Sequence, residues 1–367
     1  MDFTNLQSQY QLYKTQINAE IQKVLDSSSY INGESIARLE RGLSEFCSSP
    51  FAIACSSGTD AIILALLACG VGRDDEVITT PFTFIATAEA IAFLGAKPVF
   101  VDIFEDTYNF NYHLIEEKIT PKTKAILPVS LYGQVCDLYP INQIAQKYGL
   151  CVIEDGAQSF GGKYQGKYSC SLSPLATTSF FPSKPLGCYG DGGAVFCQDE
   201  GLAHKIKSLL SHGQKRRYIH QYIGMNARMD SLQASILCAK LKFFKDEILK
   251  RQEVAKYYDN HLQGVITPFI QEGNESVYAQ YSICTPYRDE LSVYLKEREI
   301  PTAVHYPMPL HLQEAFEYLG YKEGDFPVSE KISKQILSLP MSAFITQEER
   351  ERVVEGVNGF MTSRGVV

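Results

Sequence analysis

Apolar residues recur every three or four positions through Leu6, Tyr10, Tyr13, Ile17, Ile21 and Val24, which predicts an amphipathic helix over residues 4–26. A polar break, Ser28 to Gly33, ends it, and Ile36, Leu39, Leu43 and Phe46 predict a second helix. Phe51–Cys55 is a short apolar run read as a strand, and Ser56–Asp60 is the turn that follows. Ala61–Ala68 is apolar on every face, so that helix is expected to be buried. A regular beat then begins. Strands are predicted at Glu76–Thr79, Pro98–Val101, Ala125–Val129 and Cys151–Glu154, alternating with helices at Thr83–Phe93, Tyr112–Ile119 and through Ile141, Ile144, Ala145 and Tyr148. This alternation predicts an α/β fold, with a mostly parallel sheet sandwiched by helices. The strands are apolar nearly throughout, as expected when both sheet faces are covered.

Two further strands, Ala176–Phe181 and Ala194–Cys197, frame the stretch SKPLGCYGDGG, which holds Lys184. Helices follow at Glu200–Leu210 and, as a long pair, across residues 229–263. After Gly264 the pattern changes to strands at Val277–Thr285 and Pro301–Val304 around a charged helix, Arg288–Glu299. The expected division is a large α/β domain over residues 1–240 and a smaller α+β domain over residues 241–367.

Open α/β sheets bind ligands at the carboxyl ends of their strands. Ser57, Phe82, the Ser130–Gly133 run, Asp155 and Lys184 all fall at such ends. A lone lysine on a loop is ordinarily a solvated one. Here Pro182 and Pro185 restrict the backbone around Lys184, and an acid ends an earlier buried strand. That pairing is what pyridoxal phosphate requires: a lysine for the Schiff base and a carboxylate for the pyridine nitrogen. Ser57, Gly58 and Thr59 open a helix straight after a strand, an arrangement suited to a phosphate or to a simple N-cap. Phe82 could stack on a flat ring or belong to the core. Gln158 could reach a ring oxygen, and Ser179 could add a phosphate contact. Asn226 and Arg228 precede a helix that Asp230 could cap, and His305 and Tyr306 end a predicted strand. Taken singly, each of these residues fits a structural role as well.

Composition narrows the classes. A net charge of −8 does not suggest a nucleic-acid surface. The seven histidines and ten cysteines show no zinc spacing, so no metal is expected. The N-terminus lacks a signal-peptide core, and no apolar run approaches membrane-spanning length. Cys55, Cys69 and Cys151 sit inside apolar runs, so the cysteines are expected to be reduced and buried in a cytoplasmic protein. Lys215, Arg216 and Arg217 form a basic run, read as a solvated one.

Four motifs together carry a resemblance: Ser57-Gly58-Thr59-Asp60-Ala61, Asp155-x-Ala157-Gln158-Ser159, Ser179-Phe180-x-x-x-Lys184 with Gly190-Asp191-Gly192-Gly193-Ala194, and Gly224-x-Asn226-x-Arg228. Over nearly its whole length the chain resembles the DegT/StrS-type, fold-type-I, pyridoxal-phosphate-dependent sugar aminotransferases. The resemblance implies that Lys184 holds the cofactor and Asp155 pairs with its ring nitrogen. Gln158 would reach the ring oxygen, Phe82 would stack on the ring, and Ser57, Gly58, Thr59 and Ser179 would bind phosphate. It further implies a homodimer in which Asn226 completes the partner's site. The run from Ser179 to Gly193, Pro128–Gln134, His212-Gly213-Gln214 and Pro301–Pro307 are similar to the subgroup that aminates C3 of a UDP-linked 3-keto N-acetylglucosaminuronate, with glutamate as donor. There Arg228, His305 and Tyr306 would meet the sugar, and the product would enter bacterial surface polysaccharide. Two other readings stay open on sequence: a C4-aminotransferase of a keto-6-deoxy sugar, and a non-catalytic sugar-nucleotide-binding or regulatory protein.

Overall fold

The N-terminal helix α1 (Leu6–Ser27) and α2 (Glu34–Cys47) lead into β1 (Phe51–Cys55), α3 (Gly58–Ala68), β2 (Glu76–Thr79), α4 (Ala86–Phe93) and β3 (Lys97–Phe100) in a computed structural model that describes residues 1–367. The chain continues through β4 (Thr123–Ile126), α5 (Leu138–Tyr148), β5 (Cys151–Asp155), a small hairpin of β6 (Lys163–Tyr164) and β7 (Lys167–Tyr168), then β8 (Leu175–Ser179) and β9 (Gly193–Cys197). Next come α6 (Glu200–Leu209), a hairpin of β10 (Gln214–Arg216) and β11 (Ile219–His220), α7 (Ser231–Leu241) and α8 (Phe244–His261). The C-terminal part holds β12 (Asn274–Glu275), β13 (Tyr281–Cys284), α9 (Arg288–Glu297), α10 (Pro327–Gln335), β14 (Ile336–Leu339) and α11 (Gln347–Ser363).

Seven strands form the main sheet in the order β1-β9-β8-β5-β4-β2-β3. Only β9 runs antiparallel to its neighbours. The mostly parallel α/β sheet expected from the alternation is therefore present. Helix α3 is buried along its length, because residues such as Ile63, Leu64 and Leu66 leave it no polar face. A separate C-terminal core gathers Tyr281, Ile283, Leu337, Leu339 and Val357, with Tyr258 of α8. Helix α8 joins the two regions, since its first turns send Phe244 and Ile248 into a core beneath the main sheet. No helix is long and apolar enough to cross a membrane.

Four expectations are corrected. The helix expected at Tyr112–Ile119 is two short 3-10 turns, Tyr112–Leu114 and Glu116–Lys118. Pro121 closes the segment before a helix can propagate. The strand expected over Val277–Thr285 pairs only at Tyr281–Cys284. Its first half instead bonds to the Gly133 loop, with Val277 N donating to Gly133 O at 3.1 Å. Pro301–Val304 makes a single bridge, Ala303 to Ser338, rather than a strand. Finally, Cys69 and Cys151 are joined as a disulfide, so the expectation of ten reduced thiols fails for that pair. The end of α3 and the start of β5 meet there, a contact that residues 82 apart in sequence do not announce.

Candidate active site

The carboxyl ends of β1, β5 and β8 converge as the alternation predicts. Asp155 ends β5 and is 4% exposed. Its Oδ2 accepts a hydrogen bond of 2.9 Å from Thr87 Oγ1, and its Oδ1 accepts one of 3.2 Å from the Ala157 amide. Burial pushes this carboxyl above its usual range, against the pull of Thr87, Ala157 and Lys184. Lys184 shows the reciprocal effect. Desolvation lowers its proton affinity, and Asp155 opposes that loss. A buried carboxylate raised despite a lysine in range is under-compensated, so the pocket favours one more positive group against Asp155.

The Lys184 loop is held from behind. The Lys184 amide donates to Phe181 O at 2.9 Å, and the Cys188 amide donates to Phe180 O at 2.8 Å. Lys240 Nζ donates to Gly187 O, and the Tyr189 amide donates to Gln233 Oε1 at 3.0 Å. Burial lowers the Lys240 pKa to about 8.

Ser57 caps α3, accepting from the Asp60 amide at 3.0 Å. A Cβ added at Gly58 would lie 2.7 Å from Ser179 Cβ, and one at Gly193 would lie 2.3 Å from Ser57 O. Glycine at both positions lets the β1 turn, the end of β8 and the start of β9 close together. Thr59 occupies the first turn of α3 beside them. The helix N-terminus thus brings free amides and hydroxyls from two elements to one place, a cradle suited to a phosphate.

Phe82 is 1% exposed, and its ring stands edge-on to Tyr306 at 6.4 Å. Gln158 is fixed at both ends of its amide. Oε1 accepts from the Tyr132 amide at 2.7 Å, and Nε2 donates to the Tyr306 hydroxyl at 3.1 Å. Tyr132 also donates through its hydroxyl to His305 O. Burial, with a smaller effect from Lys184, lowers the His305 pKa from 6.5 to about 4, so the imidazole is neutral. The structure therefore brings together Asp155, Lys184, Phe82, Gln158, His305 and Tyr306, and gathers Ser57, Gly58, Thr59 and Ser179.

Within one chain the side chains of Asn226 and Arg228 bond to none of these residues, although Ala227 between them pairs beside the β1 turn, its carbonyl accepting from the Ser56 amide at 2.8 Å. Asn226 is exposed and its side chain bonds nothing. Arg228 donates to Ser211 Oγ at 3.2 Å and lines a surface cleft with Glu40 and Lys207. Asp230 does not pair with Arg228 but caps α7 through the Gln233 amide at 2.9 Å. Sequence reasoning missed Thr87, and it placed Tyr132 at a strand end without giving it a role. Thr87 follows Thr83 by four positions, and that hydroxyl pair was the available signal.

The residues fit pyridoxal phosphate on these grounds: an acid lacking a full counter-charge, a lysine beside it, a flat buried ring and a glycine-lined cradle at a helix start. A model of the DegT/DnrJ/EryC1/StrS aminotransferase family matches residues 11–358. The chain belongs to that family. It is a pyridoxal-phosphate-dependent sugar aminotransferase, and solved relatives carry that cofactor in its pyridoxal and pyridoxamine forms. The chain is 51% identical to the UDP-2-acetamido-2-deoxy-3-oxo-D-glucuronate aminotransferase of Pseudomonas aeruginosa, over 94% of this chain and 96% of that one. It is 45% identical to a pleiotropic regulatory protein of Geobacillus stearothermophilus, over 97% of each. S. venezuelae DesV, solved in complex with a ketimine intermediate, superposes with a TM-score of 0.95 at 35% identity, over 98% of both chains.

Proposed function

We propose that the protein transfers an amino group from glutamate to C3 of UDP-2-acetamido-2-deoxy-3-keto-glucuronate, for bacterial surface polysaccharide, as a homodimer with shared sites. The observation that carries the substrate assignment is the 51% identity, over 94% of the chain, to a relative named for that keto-uronate.

The bound cofactor supplies an electron sink for the carbanion formed beside the transferred nitrogen. Lys184 would hold it and, when free, would act as the base that takes and returns the proton at the substrate carbon. Burial lowers its proton affinity, which suits a group that must give up and take back a proton. Asp155 would keep a proton on the ring nitrogen, and Thr87 and Ala157 hold the carboxylate in place for it. Phe82 would cover a ring face, and Gln158, held by Tyr132 and Tyr306, would offer its second amide hydrogen to the ring oxygen. Ser57, Gly58, Thr59 and Ser179 receive the phosphate.

Asn226 and Arg228 serve the partner's site in this reading. An unbonded, exposed asparagine supports it, as do Ile223 and Tyr218, apolar side chains that stand 93% and 76% exposed nearby. Arg228 would meet the C6 carboxylate of the sugar, for which a guanidinium is well shaped. His305 and Tyr306 would line the sugar pocket.

The test is amino transfer from glutamate to a panel of UDP- and dTDP-linked keto-sugars. The proposal predicts the highest kcat/KM on the 3-keto-uronate. Preference for a 4-keto-6-deoxy sugar would overturn the substrate assignment.

A further inference from the structure

The C-terminal region turns one face of a two-stranded sheet toward the site. In the antiparallel pair, Ser282 lies opposite Ser338 and Cys284 opposite Ile336. Side chains alternate along a strand. Tyr281, Ile283, Leu337 and Leu339 pack into the C-terminal core. Cys284 and Ile336 pack the other way, with Phe82 and Tyr132 and against Tyr306. Ser282 and Ser338 share that second face.

Both serines are at most 1% exposed. A hydroxyl buried on a largely apolar face costs stability unless it is bonded. These two satisfy each other at 2.8 Å, and Ser338 Oγ lies 2.9 Å from Nδ1 of His305. The backbones are tied as well, since the Ser338 amide donates to Ala303 O at 2.8 Å and the Ala303 amide donates to Ser338 O at 3.1 Å. Nε2 of His305 bonds no protein group. Ser282 also borders a small cavity with Tyr108 and Tyr132. The polar chain therefore begins inside the protein and ends on the ring.

We propose that Ser338, backed by Ser282, is a positioning residue that fixes the ring orientation and tautomer of His305, so that Nε2 is the nitrogen presented to substrate. This rests on the reading of His305 as a sugar-side residue. An imidazole can flip about its last torsion, which puts ring carbons where its nitrogens stood. A neutral ring also has two tautomers, and the partner at one nitrogen decides what the other offers. Here that partner is a hydroxyl held against Nδ1 by its own bond to a second hydroxyl. Had the serines served only to pair the two strands, the state of His305 would not depend on them.

Two readouts on the cofactor-loaded enzyme test this. The first is nitrogen-15 NMR of labelled histidine, with the His305 signals assigned by their loss in His305→Gln. Wild type should show one neutral tautomer, and Ser338→Ala should show averaged ring shifts. The second is kcat/KM on the keto-uronate. Ser338→Ala should lose about tenfold in the wild-type background and under about twofold in the His305→Gln background. Ser338→Thr, which keeps the hydroxyl, should recover most of the loss. Unchanged ring shifts in Ser338→Ala, or equal losses in both backgrounds, would overturn the proposal. If Ser338→Ala does not fold, Ser282→Ala replaces it, because it leaves the His305 contact intact. Averaged shifts there support the chain, and unchanged shifts overturn it. Should wild type not turn over the keto-uronate at all, the substrate reading fails, and the ring shifts still decide the role of Ser338.

Discussion

The hydroxyl of Thr87 on α4 donates a 2.9 Å hydrogen bond to Oδ2 of Asp155 at the end of β5. Thr83, four positions earlier, lies 3.0 Å from that hydroxyl. Because the Thr87 proton is committed to the carboxylate, Thr83 must be the donor of the second bond. Asp155 is thus held from behind, with its remaining lone pairs free for the cofactor.

Thr87→Val keeps the shape and removes the donor. The Asp155 carboxyl should rise further, since burial would then act against one fewer stabilising bond. About 1.4 kcal/mol of lost stabilisation corresponds to a tenfold fall in rate, and a bond to a charged group is worth at least that. The expected result is roughly tenfold lower kcat, with the cofactor still bound by its visible absorbance. Unchanged kcat would make Thr87 a packing residue only.

His305 should leave a signature in stability. Its folded pKa is about 4 against 6.5 in the unfolded chain. The unfolded chain therefore takes up a proton first as pH falls. Stability is full above pH 6.5, declines as pH falls through that window, and stops declining on this account below pH 4. The full effect is about 3 kcal/mol. Urea unfolding of wild type and His305→Gln should diverge across that window, with the variant showing the flatter profile. Parallel profiles would mean that the imidazole titrates normally.

Asn226 is exposed in its own chain, yet it is assigned to a phosphate site. Lys184→Ala and Asn226→Ala should each be inactive as homodimers. Mixed subunits would contain one site that has both residues intact, if Asn226 works across the interface. Up to about a quarter of wild-type activity per total site is expected for random exchange that yields half heterodimers. No recovery after verified subunit exchange would count against a shared site.

The main sheet was legible because each of its strands is a short apolar run bounded by a helix or turn signal. The cofactor residues were legible because they fall where those strands end. What stayed hidden depends on contacts between distant segments. The Cys69–Cys151 pairing joins two runs that each read as core. Ser282 and Ser338 lie on strands whose alternation makes sense only once it is known which face meets the large sheet. Helix α11 carried a local signal that was overlooked: the Thr346–Glu349 capping box closes reciprocally at its start. Arg228 shows the opposite limit. Its spacing from Asn226 was plain, but its guanidinium turns to Ser211 rather than to Lys184.

Arg228→Leu separates substrate reading from structure. If the guanidinium meets the sugar carboxylate in the partner's site, the variant should lose at least about tenfold in kcat/KM on the uronate, as for a charge-assisted bond. Loss on a neutral 3-keto analogue should be small. Equal losses on both would leave Arg228 as the structural partner of Ser211.

The central claim is that Lys184 carries the cofactor against buried Asp155. Borohydride reduction of the loaded enzyme, followed by peptide mass spectrometry, tests it directly. Reduction should abolish activity and fix one cofactor mass on the peptide that contains Lys184, at Lys184 itself. Lys184→Ala should take up no covalent label. A label on another lysine such as Lys240, or a fully active enzyme with none, would contradict the account.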